Sequence, residues 1–95
     1  MGKGEKLLAL WAGNPPKEAR INDVKTFLNT FFADMWRQKK SSHIVVRCKW
    51  LENHPDYQPY GEISVPVKGG QQVKGFYVRR LVEAVQLLME SGDRL

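Results

Sequence analysis

Six apolar residues constrain this chain most. Val24, Phe27, Leu28, Phe31, Phe32 and Met35 recur at spacings of three and four, so they lie along one side of an α-helix. Lys25, Asn29, Thr30 and Asp34 fall on the other side. A helix with so large an aromatic stripe must bury it against a sheet or another helix. Asn22 is the expected N-cap, since its side-chain oxygen can accept a free N–H of the first turn, and Asp23 suits the positive helix end. The helix is predicted over 22–35. At helical spacing its aromatics read as core, not as a base-stacking platform.

The downstream sequence supplies the covering surface. Residues 43–50 alternate, with Ile44, Val46, Cys48 and Trp50 facing one way and His43, Val45, Arg47 and Lys49 the other, as in a strand with one covered face. His43 and Arg47 then share the open face, about 13 Å apart at a rise of ~3.3 Å per residue. Residues 51–60 are expected to form a loop, because Pro55 and Pro59 interrupt any ladder. Alternation resumes over 61–67, with Ile63, Val65 and Val67 inward and Pro66 confined to an unpaired position or the strand end. Gly69-Gly70 marks a turn, and 71–73 is predicted as a third short strand. A second helix opens at Gly75 and runs over 77–90, with Val78, Leu81, Val82, Val85, Leu88 and Met89 as its stripe and Gly92 as its C′ residue. The order is α-β-β-β-α. It predicts an α+β two-layer domain over 21–95, a three-stranded antiparallel sheet with two helices on one face. Residues 1–20 precede it as an N-terminal extension. There Leu7, Leu8 and Trp11 share a short helix that Gly13-Asn14-Pro15-Pro16 stops, and the segment either packs through Trp11 or is mobile.

Charge narrows the partner. The formal net charge is +5. From Arg37 to Arg80 there are nine Lys/Arg against three acids, so that segment alone is +6 and the rest of the chain nets −1. Such an excess suits a polyanion, whose counterions are released on binding, although a solvated surface carries the same charges. Arg79 and Arg80 sit in the first turns of the second helix, where an anion would offset their unfavourable place on the dipole. The longest apolar run falls well short of the ~20 residues of a membrane span. Glu5 and the lack of a small-residue cleavage site count against a signal peptide. The lone Cys48 forms no internal disulfide, which points to a reducing, cytoplasmic setting. His43, His54 and Cys48 lack metal-ligand spacing, so neither a metal nor another cofactor is expected.

With that order in place, an ordered set of short motifs stands out. These are Asp23-Val24, then Arg37-Gln38-Lys39 and Ser42-His43-Ile44, then Ile63 to Gly70 with Val65-Pro66-Val67-Lys68 at its centre, then Val73-Lys74-Gly75 before an apolar helix. Over about 22–90 the chain resembles the HicA family, RNA-cleaving toxins of toxin–antitoxin pairs with a fold similar to double-stranded-RNA-binding domains. Ser41 stands where that family has glycine, and Lys68 where it commonly has a second histidine. The resemblance implies metal-independent cleavage of mRNA with His43 as the catalytic residue. It also implies an RNA-binding set of Lys39, Lys40, Ser42, Arg47, Lys68, Lys74 and Arg79, and silencing by a HicB-like antitoxin. The toxin would be a monomer alone, or a hetero-oligomer with that partner. Histidine suits the chemistry, because its reference pKa of ~6.5 lets one ring accept or give a proton near neutral pH. Tyr60, Tyr77 and Lys68 are candidates for a second proton-transfer group. Two other functions use the same residues: a non-catalytic module that grips duplex RNA, and a protein-interaction domain whose basic face meets an acidic partner.

Overall fold

The computed structural model describes residues 2–40 and 42–91, the last in backbone only, so Ser41 and the C′ position expected at Gly92 lie outside the described residues. The elements are α1 (Lys3–Gly13), β1 (Glu18–Arg20), α2 (Ile21–Phe31), β2 (Trp36–Lys39), β3 (His43–Arg47), β4 (Glu62–Pro66), β5 (Gln72–Lys74) and α3 (Gly75–Ser91). They make an α+β two-layer domain, with among the described residues three helices and two sheets. The larger sheet has the order β2-β3-β4, antiparallel throughout, and the smaller pairs β1 with β5.

The predicted single three-stranded sheet with two helices is therefore corrected: α1 is a third helix, and β1 and β5 form a second sheet. The strand expected over 43–50 ends at Arg47, with Lys49–Leu51 in a 3-10 turn. Residues 71–73 do not join the three-stranded sheet; Trp36–Lys39 does, as the partner of β3. Its four residues alternate between half-buried Trp36 and Gln38 and exposed Arg37 and Lys39. That period-two signal is hidden by polarity, because this is an edge strand with only its inner face partly covered.

Residues 3–20 pack into the same core as the rest. Trp11 is only 4% exposed and meets Phe27 with ring centroids 5.3 Å apart. Gly4 lets α1 cross α2 closely, since a Cβ there would lie 1.9 Å from Thr30 Oγ1. Lys3 Nζ reaches Asp23 Oδ1 at 2.9 Å on the surface of the same crossing. After the prolines, β1 sets Glu18 opposite Lys74, Ala19 opposite Val73 and Arg20 opposite Gln72. Ala19 and Val73 are buried, so the small sheet has one core face.

The α2 stripe faces inward as its spacing requires: Val24, Phe27, Leu28 and Phe32 are buried and Phe31 packs beside them. The helix starts one residue early and ends at Phe31. Asn22 is not its cap. The chain passes directly from β1 into the helix, Arg20 holds the N-cap position without a side-chain bond, and the Ile21 N–H goes to the Gln71 carbonyl instead. The inner face of the large sheet is Ile44, Val46, Ile63 and Val65, all buried. Val78, Leu81, Val82, Ala84 and Val85 of α3 complete the core, while Met89 is exposed.

The connection from Cys48 to Gly61 is folded, with 3-10 turns at Lys49–Leu51 and Pro55–Tyr57. Two aromatics with polar tips pin it. The Trp50 indole stacks near Phe32 and donates Nε1–H to the Ala84 carbonyl at 2.8 Å. Tyr57 is buried and donates its hydroxyl to Glu83, and Arg80 lies over its ring at 4.8 Å. Among the described residues no helix is long and apolar enough to cross a membrane.

Candidate nucleic-acid interface

The helices cover one face of the large sheet, and the other face is open. Strand register sets the open-face side chains in rows. Lys39, His43 and Pro66 form the first, Arg37, Val45 and Ser64 the second, and Arg47 and Glu62 the third. His43 thus begins β3 as the sequence implies, exposed and directly opposite Lys39. The Ser42 Oγ lies 3.2 Å from His43 Nδ1. Lys40, in the turn before them, holds a left-handed backbone with φ 55°.

Arg47 sits at the other end of the same strand and is engaged there. Its Nε donates to Glu62 at 3.1 Å, and its guanidinium lies 5.5 Å from the centre of the Tyr60 ring. A cleft of about 610 Å³ opens beside it, lined by Arg37, Lys39, Val45 and Tyr60 among others, with Asp34 and Glu52 offsetting its cations. Arg37 has no place in the predicted binding set, yet it shares the face of His43. The alternation of Trp36 to Lys39 is the signal that marks it.

Lys68, Lys74 and Arg79 belong to a second region that adjoins the His43 end. The Val67 N–H donates to the Ser42 carbonyl at 2.7 Å, so the chain leaving β4 passes beside His43. Lys68 Nζ then meets Glu18 at 3.4 Å, and Glu18 faces Lys74 across the small sheet. Lys74 and Arg79 line a second cleft together with Pro15, Pro16, Lys17, Glu18, Gly75 and Phe76. Gly75 is needed at its floor, because a Cβ there would lie 2.1 Å from the Pro16 carbonyl oxygen. The Gly75 N–H is spent on the Lys17 carbonyl at 2.7 Å. The first donor of α3 is therefore not free to hold a phosphate. Lys17 and Phe76 are further residues that sequence reasoning missed; Phe76 follows Lys74 by two positions, whereas only the β1–β5 pairing, which joins distant segments, brings Lys17 to it.

The other candidates separate. Arg80 is held over Tyr57 and does not share the Arg79 cleft. Tyr60 lies at the Arg47 end of the open face, and Tyr77 is half-buried with its ring against the Phe76 edge. His54 caps the turn at 55–57 by accepting the Asp56 N–H. Burial pushes the Cys48 thiol up to about 12 and, with the Glu83 hydrogen bond and charge, raises Tyr57 as well. Both stay protonated at neutral pH and serve the core. Among the described residues, no three His, Cys, Asp or Glu side chains gather as a metal-holding group. No family model, curated protein or solved structure matches this chain.

Proposed function

We propose that this protein is a HicA-like endoribonuclease that binds RNA along the basic end of its sheet and cleaves it with His43. The observation that carries the reading is the exposed His43 ring opposite Lys39, with a hydroxyl at Nδ1. Ser42 can accept from Nδ1–H, which leaves Nε2 unprotonated and able to take a proton. Nε2 takes the 2′-OH proton, the 2′-oxygen attacks the adjacent phosphorus, and the P–O5′ bond breaks as the departing 5′-oxygen takes a proton from water, the imidazolium later returning its own proton to water. The products are a 2′,3′-cyclic phosphate and a free 5′-hydroxyl. Lys39 supplies positive charge toward the pentavalent phosphorane, and Lys68, paired with Glu18, borders the RNA backbone beside it. Lys40, Ser42, Lys74 and Arg79 position the backbone on either side, with Arg47 more remote. The resemblance adds an antitoxin, HicB-like, that would cover this cationic face with acidic groups in the cytoplasm and bury His43.

A second reading is favoured by one feature. Ser42 is the only side-chain hydrogen-bond partner of His43 among the described residues, and no carboxylate or tyrosine is paired with the ring. An RNA-binding module without cleavage would have that arrangement. His43→Ala decides between them. Because His43 is exposed, its removal leaves no cavity, and the stability change should stay within about 0.5 kcal/mol. Cleavage at neutral pH in EDTA should fall about 10²–10⁴-fold while RNA affinity holds. Undiminished cleavage removes His43 from the mechanism; wild-type binding without any cleavage selects the second reading.

A further inference from the structure

The cleft between residues 15–18 and the first turn of α3 has an aromatic wall. Phe76 is 57% exposed, and its edge-on contact with Tyr77, ring centroids 5.1 Å apart at 89°, sets its plane. Phe76 and Arg79 are three residues apart on α3 and line the same opening. Lys17 and Lys74 add two cations, whereas the one carboxylate there, Glu18, is already matched by Lys68. The opening measures about 720 Å³, inside the range of ~300–1,000 Å³ of small-molecule sites. A flat exposed ring among unneutralised cations suits a ligand with both a π face and a phosphate. An acidic peptide would use the cations and leave the ring unmatched.

We propose that this cleft holds one unpaired nucleotide of the bound RNA, its base stacked on Phe76 and its phosphate held by Lys17, Lys74 and Arg79. The inference rests on the RNA-binding reading and narrows it. A base inside a duplex has both faces covered by its neighbours, so a stacking platform takes a base from a single strand, loop or bulge. The substrate class is then RNA with at least one unstacked base beside the cleaved bond's neighbourhood, not regular duplex.

The test measures affinity in a His43→Ala background, which keeps the RNA whole. Three RNAs of equal length are compared: a single strand, a full duplex and a duplex with one bulged base. Phe76→Ala should weaken the single strand and the bulged RNA about tenfold and the duplex by less than about twofold, given the usual size of base–aromatic stacking. Phe76→Leu should match Phe76→Ala, because it keeps bulk and loses the ring. Phe76→Trp should hold affinity and show fluorescence quenching on binding. Thermal melts of all three should match the parent, since the side chain is exposed. Equal losses on duplex and single strand, or full affinity with leucine, overturn the stacking site while RNA binding stands. Failure of the parent to bind any RNA at low salt overturns both. Loss of an acidic protein partner with RNA affinity unchanged overturns the nucleotide in favour of a protein surface.

Discussion

Two residues that look like candidate reagents are held protonated by the core. Cys48 and Tyr57 are buried, and each has its proton affinity raised on folding. The folded chain thus holds these protons more tightly than the unfolded chain. Their contribution to stability is complete below the ordinary values of 9.0 and 10.0 and is lost as pH rises through and above them. Each group can remove up to about 1.4 kcal/mol per pH unit in its window. The urea midpoint should therefore fall from pH 9 upward, in the presence of a reductant. Tyr57→Phe should cost about 1–3 kcal/mol at pH 7 for the lost bond to Glu83. That gap should narrow above pH 10, because phenylalanine has no proton to lose. A gap of constant size from pH 7 to 11 would refute the coupling. His43 contrasts with both: it is exposed on the open face of the sheet.

At the scale of elements, the apolar periodicities were legible and the edge elements were not. The stripe from Val24 to Phe32 and the alternation of Ile44, Val46, Ile63 and Val65 went to the core because nothing else could cover them. Trp36 to Lys39 was obscured because an exposed edge strand needs few apolar residues. The partnership of β1 with β5 has no local signature at all, since each strand has three residues and a single buried side chain. His43 was readable as an exposed strand-start residue, whereas the place of Lys17 beside Lys74 depended on that invisible pairing. The pairing makes a definite expectation for Gly75. Backbone, not a flexible side chain, occupies the space a Cβ would need. Gly75→Ala should cost roughly 1–3 kcal/mol or more, lowering the melting temperature by about 4–8 °C per kcal/mol for a domain of this size. Trp11→Ala should cost about 3–5 kcal/mol, as for a large buried aromatic. A Trp11→Ala protein that melts with the wild type would show that α1 contributes nothing to the core.

For the whole molecule, the charge asymmetry becomes a matter of ends. The cations of the 37–80 segment are divided between an Arg47 end balanced by Glu62 and a His43–Lys74 end whose single carboxylate, Glu18, is already matched. RNA affinity should therefore fall steeply with salt, with log K changing by roughly 0.7–0.9 per log unit of salt for each phosphate neutralised. Lys74→Gln should reduce that slope by about one, and Arg47→Gln should change it much less. Equal slopes for the two variants would mean that RNA does not favour the His43–Lys74 end. The β1–β5 pairing also sets an order in time. Glu18 is synthesised long before Lys74, so a growing chain can shape the His43 hairpin while the cleft at Lys17 and Phe76 still lacks a wall. Contacts between such distant segments close late in folding. Under the RNA-binding reading proposed above, a nascent chain would lack the wall of this cleft until α3 is made. Pulse-labelled hydrogen exchange should show the Ala19 amide protected after those of β3; simultaneous protection would remove the delay.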